Sequence, residues 1–135
     1  MHVSLFTGAI LGLLAVVAGA ATGHGPVAGL DEESMRSLMT AVRYHEFGAV
    51  MIVATGLAAA LADSGRAAFR LGLSSWLFVA GTLLFSFSIY ARLLLGLDWL
   101  SPVTPLGGMC HMVGWIALGW AALSGMTRGS SPPEG

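Results

Sequence analysis

The chain contains no lysine, a single cysteine and few charges of either sign: six arginines and seven acidic residues in 135 positions. A soluble domain normally carries charge on about a quarter of its residues. Here the figure is 10%, against 56% hydrophobic residues. That shortage excludes a soluble globular domain and a disordered chain. A balance of −1 with no basic patch excludes nucleic-acid binding. Lone Cys110 excludes a disulfide framework and reads as a small packing residue. Catalytic signatures are missing too: there is no nucleophile–base pair at a known spacing, no phosphate loop and no HExxH.

The few charges punctuate the chain. None occurs in residues 1–30, between Phe47 and Ala62, between Leu71 and Ala91, or between Trp99 and Thr127. A membrane helix needs roughly 20 apolar residues. Three of the gaps meet that alone, and the second borrows from its charged flank. The expectation is an all-α integral membrane protein: one domain over 1–127 with four antiparallel transmembrane helices, at about 3–22, 36–62, 71–95 and 106–126. Residues 128–135, rich in Ser, Pro and Gly, are expected to form a disordered tail. The first apolar run resembles a signal peptide, but no positive charge precedes it, so it reads as a retained helix. Arginines tie three to three between the two sides; the compact Arg66/Arg70 pair tips the termini toward the cytoplasm.

Small residues recur at alternating four- and three-residue steps, which suits close helix packing in lipid. The first helix presents Gly8, Gly12, Ala15 and Gly19. The third presents Ser74, Phe78, Gly81, Phe85 and Ser88; the fourth presents Gly107, beside Gly108, then His111 and Gly114. Gly48, Ile52, Thr55 and Ala59 form a less regular seam on the second. Seven methionines without short paired spacing read as packing rather than copper ligands.

Antiparallel helices bring a polar cluster to one membrane face: His24, Arg43, Tyr44, His45, Glu46, Tyr90, Arg92 and Thr104, with His111 one to two turns farther in. Ionisable groups in a bilayer are expensive, so their partners matter. Glu46 is expected to pair with Arg43, three residues back, or with Arg92 of the third helix. Three readings compete. The groups cap helices and lock the bundle, or mark the entrance to a path for a lipid or small solute. In the third, His45 and His111 ligate haem, or His24, His45, Glu46 and His111 gather around a metal.

The chain resembles domain-of-unknown-function family 423, the YgdD/YwdK-like bacterial proteins related to animal transmembrane protein 256. Gly19-Ala-Ala-Thr-Gly-His24-Gly25 resembles the family's GAFGAHG, and Ala41-Val-Arg-Tyr44 its second-helix AxxY. Gly81-Thr-Leu-Leu-Phe-Ser-Phe-Ser-Ile-Tyr90 is similar to its GxxLFSGSLY, and Thr104-Pro-Leu-Gly-Gly108 with Gly114-Trp115 to its TPxGG…GW. Two departures stand out. Gly48 occupies the place of a histidine four residues after the tyrosine, and Phe87 that of a glycine between two serines. If that histidine works in the family, its role here is lost or relocated. The resemblance implies four helices in a bacterial or mitochondrial inner membrane and supplies no activity.

The expected function is a non-catalytic accessory, structural or assembly subunit in the bacterial inner (cytoplasmic) membrane. Its partners would be the lipid bilayer and other membrane subunits or a second copy, with no cofactor and no nucleic acid. A small homo-oligomeric transporter or a lipid- or solute-binding protein is the alternative, and a haem or metal protein the third.

Overall fold

A computed structural model of the chain describes residues 2–24, 27 and 29–126; the tail from 128 onward lies outside them. Among the described residues four long helices form, α1 (His2–His24), α2 (Glu32–Ala60), α3 (Gly65–Leu95) and α4 (Val103–Met126). A single 3-10 turn, Asp98–Leu100, lies between α3 and α4.

Local chemistry sets the helix ends. Asp31 caps α2, its carboxylate accepting the Ser34 N–H at 2.7 Å, and Glu32 and Glu33 complement the positive end of the helix dipole. The helix therefore begins four residues before the expected 36. Ser64 caps α3 by accepting the Ala67 N–H at 3.3 Å, so Gly65 and Arg66 are helical. That start precedes the expected 71, because the cap and two helix-tolerant alanines outweigh the charges used to mark the boundary. Gly96, at φ 68°, closes α3 in the left-handed conformation that glycine adopts without strain.

Within α3, Leu83–Phe87 is a π-turn between two α segments, Gly65–Thr82 and Ser88–Leu95. Such wide turns admit an extra residue and turn the following side chains through a new angle. Here Ser86 reaches α2 and Ser88 reaches α4 from adjacent turns.

Contacts fix the antiparallel order. Gly8 lies against Ile52 and Val53, and Gly19 against Val42 and Glu46, which runs α1 against α2. Ser75 donates to the Ile52 carbonyl at 3.1 Å and Ser86 to the Ala41 carbonyl at 2.8 Å, running α2 against α3. Ser74 donates to the Gly114 carbonyl at 2.9 Å, and the Ser88 and Thr104 hydroxyls lie 2.7 Å apart, running α3 against α4. The extensive pairings are these three. α1 touches α3 lightly and has no substantial contact with α4. Leu11, Ala49, Ile52, Phe78 and Val79 form the apolar core where α1, α2 and α3 meet.

α1, α3 and α4 are long and apolar enough to cross a membrane. α2 carries five charges in its first half, but its uncharged remainder lies between α1 and α3 and crosses beside them. The outer surface matches lipid. Phe6, Leu13, Val16 and Val17 of α1 and Met112, Ile116 and Leu123 of α4 are all exposed. At the end shared by the chain termini, the Arg70 guanidinium lies over the Trp120 ring, 4.2 Å from its centroid, suiting an interfacial anchor.

Candidate functional site

Consecutive helical residues point about 100° apart, so Tyr44, His45 and Glu46 cannot share one cluster. Tyr44 faces α3 and α4, its ring 4.8 Å from Phe85 and 5.8 Å from His111. His45 turns inward to α3, its Nδ1 3.3 Å from the Tyr90 hydroxyl and its ring edge-on to Phe87. Glu46 faces outward beside α1, near Gly19. The remaining cluster members also separate. Arg92 donates to the Ser101 hydroxyl at 3.3 Å, and Thr104 meets Ser88. The His24 side chain lies outside the described residues.

Neither expected partner of Glu46 meets it. Among the described residues the ion pair formed is Arg36–Glu32, an exposed four-residue contact at 3.1 Å. Arg92 donates to Ser101 of the α3–α4 connection, and Arg43 lines a cavity beside Glu46 and Gly19 without forming an ion pair with the carboxylate. Nor do His45, Glu46 and His111 converge: among the described residues no three metal-ligating side chains gather. The haem arrangement is equally unsuited. His111 is pressed against α3, its Nε2 3.0 Å from where a Gly81 Cβ would stand, and His45 is enclosed by Phe87 and Tyr90.

The most unusual feature is at the middle of the bundle. His111 is 4% exposed and neither ring nitrogen has a hydrogen-bond partner. Thr82, fully buried on α3, has an unpartnered hydroxyl. Most buried polar groups in proteins are satisfied, so this concentration is notable. Two glycines create the space. Gly81 gives its face to the imidazole, and Gly48 of α2 lies against both Thr82 Oγ1 and His111 Cε1, the latter 3.3 Å from where its Cβ would be. A side chain at position 48 would point into the volume that the His111 ring borders from α4. Phe78 and Tyr44 flank the ring, and Trp115 closes the outside, stacked on Phe47 and edge-on to Phe78.

Thr82 was not singled out in the sequence, where it holds an unspecified position of the Gly81–Tyr90 motif; Gly48 stood out as a departure from the family but sat on the seam judged least regular, although Gly48, Ile52, Thr55 and Ala59 are all buried. The available signal was depth: Gly48, Gly81 and His111 lie at similar distances along three neighbouring helices. Of the small residues singled out, Gly8, Gly81, Gly107 and Gly114 are buried at helix contacts. Gly12 and Gly108 have ordinary spacing to their nearest neighbours.

The architecture is that of a small helical membrane protein. The family model described as Protein of unknown function (DUF423) matches residues 18–108, and the chain belongs to that family. It is 33% identical over 123 residues to the UPF0382 membrane protein YwdK of Bacillus subtilis, covering 91% of this chain and 98% of that protein. A UPF0382 membrane protein of Haemophilus influenzae is 34% identical over 114 residues, covering 84% of this chain and 88% of its own length. No solved structure matches the chain.

Proposed function

We infer that the protein is a non-catalytic accessory subunit of the bacterial inner membrane, assembling laterally with other membrane subunits or with a second copy. One observation carries this reading: Ser74, Ser75 and Ser86 turn inward to bond neighbouring helices, leaving a broad apolar exterior and, among the described residues, short connections between the helices. Such a protein has little surface for a soluble partner, and its recognition takes place in the plane of the membrane. Native purification in mild detergent, with identification of bound proteins and lipids, tests it. A partner at fixed stoichiometry is expected; a lone homodimer with substrate-dependent flux in vesicles would overturn it.

A second reading, binding of a lipid or small lipophilic solute, is favoured by one feature. A groove between α1 and α2, about 520 Å³ in volume, opens on the outer surface and has Glu46 in its wall.

A further inference from the structure

That groove is lined by Gly8, Gly12 and Ala15 of α1 and by Ala49, Val53 and Ala54 of α2, small or short residues over which the helices approach closely and the furrow opens outward. Its volume falls within the usual range for small-molecule sites, roughly 300–1,000 Å³. Glu46 is the only ionisable side chain lining it. The carboxylate is exposed and makes no ion pair among the described residues. Gly19 leaves it room, since a Cβ there would stand 3.2 Å from Glu46 Oε1. Gly19 lies five residues, about 7–8 Å of helix rise, inside the end of α1, so Glu46 stands beside the apolar length of that helix rather than past its end. A carboxylate in that position is costly without a counter-charge.

We propose that this α1–α2 groove binds a lipophilic monocation, a single positive centre on a compact apolar body, with the charge at Glu46 and the body against the alanine and glycine walls. The proposal rests on the second reading above and names its ligand class. Charge complementarity selects the occupant: an apolar furrow alone would be filled by any acyl chain, but the carboxylate favours a cation over neutral and anionic guests. A zwitterionic phospholipid fits less well, because its ammonium lies outside its phosphate. Bringing that ammonium down to Glu46 would draw the phosphate into the apolar groove.

Two rigid ions of nearly the same shape and opposite charge supply the test. Binding of tetraphenylphosphonium and tetraphenylborate to the full chain in detergent is measured by equilibrium dialysis. Saturable one-to-one binding of the phosphonium is expected, with the borate weaker by about tenfold or more, the scale of one charge contact. Glu46→Gln should remove that preference and Glu46→Asp retain part of it. Ala54→Leu, on the exposed groove wall, should weaken the phosphonium while leaving the thermal transition in place. Equal binding of both ions, unchanged by Glu46→Gln, would overturn the cation assignment and keep the groove as an apolar solute site. Saturable binding of neither ion would remove both. A dimer that Glu46→Gln dissociates, or a phospholipid that the phosphonium fails to displace, would also overturn the proposal in favour of that occupant.

Discussion

A methyl group on Gly107 would overlap the backbone of Leu84 and Phe85, with the Leu84 carbonyl carbon 2.7 Å away. Backbone cannot swing aside as a side chain can. Gly107→Ala is therefore expected to cost about 1–3 kcal/mol or more by forcing α4 off the π-turn. Gly119→Ala, on the same helix with nothing within 4 Å, should be neutral or stabilise by up to about 1 kcal/mol through helix propensity. Thermal or denaturant unfolding in detergent separates the two. The central imidazole gives a second contrast. Because both its nitrogens lack partners, His111→Leu removes no hydrogen bond and should be neutral or mildly stabilising, as should Thr82→Val. Ser74→Ala removes a cross-helix bond and should cost about 0.6 kcal/mol, the average for such bonds in membranes. A loss of stability from His111→Leu larger than that from Ser74→Ala would show that the imidazole holds a polar guest. The histidine of the family's second helix bears on the same place: at Gly48 the Thr82 hydroxyl takes the position a side chain would need, and the imidazole beside it comes from α4.

At the level of the elements, charge spacing located four helices because charges are excluded from hydrocarbon, but it misplaced their ends. Asp31 and Ser64 act through capping bonds that compete with that rule, drawing the starts of α2 and α3 outward along the chain. The π-turn was not legible, since no residue type signals an extra residue per turn; it depends on how Gly107 and the serines of α3 settle against their neighbours. The polar cluster was legible as a set of depths and not as contacts, because a membrane face collects residues that helical rotation then sends in different directions. The Asp31 cap carries a pH dependence. Its hydrogen bonds to Ser34 hold the carboxyl below its ordinary value, near 3.9. A depressed folded-state value means that the cap's contribution is present above the unfolded value and is lost as pH falls through the folded one. Amide exchange at Ser34 and Met35 should accelerate, relative to the intrinsic rate, below about pH 4, and Asp31→Ala should show the faster rate throughout.

For the whole molecule, the start of α1 and the end of α4 share one membrane face with the 61–64 connection, and the end of α1, the start of α2 and the α3–α4 connection share the other. If the Arg66/Arg70 pair keeps its end cytoplasmic, a cysteine at Ser64 should be shielded from an impermeant thiol reagent in intact cells. One at Leu97 should react, both in a Cys110→Ala background. The reverse pattern would invert the topology without disturbing the fold. The broad apolar exterior needs no such decision, since lipid covers both α1 and α4 in either orientation.

The pairing order α1–α2, α2–α3, α3–α4, with no substantial contact between first and last, has a consequence for how the chain enters a membrane. Neighbours in sequence are neighbours in space, so each helix after the first finds a packing partner already in the bilayer, and none waits for a distant segment. When α3 arrives, Ser75 and Ser86 can bond the carbonyls of α2 at once, whereas the carbonyl that Ser74 uses comes with α4. Biogenesis then proceeds as successive hairpins, and the last helix both satisfies the remaining hydroxyl and delivers the imidazole to the centre.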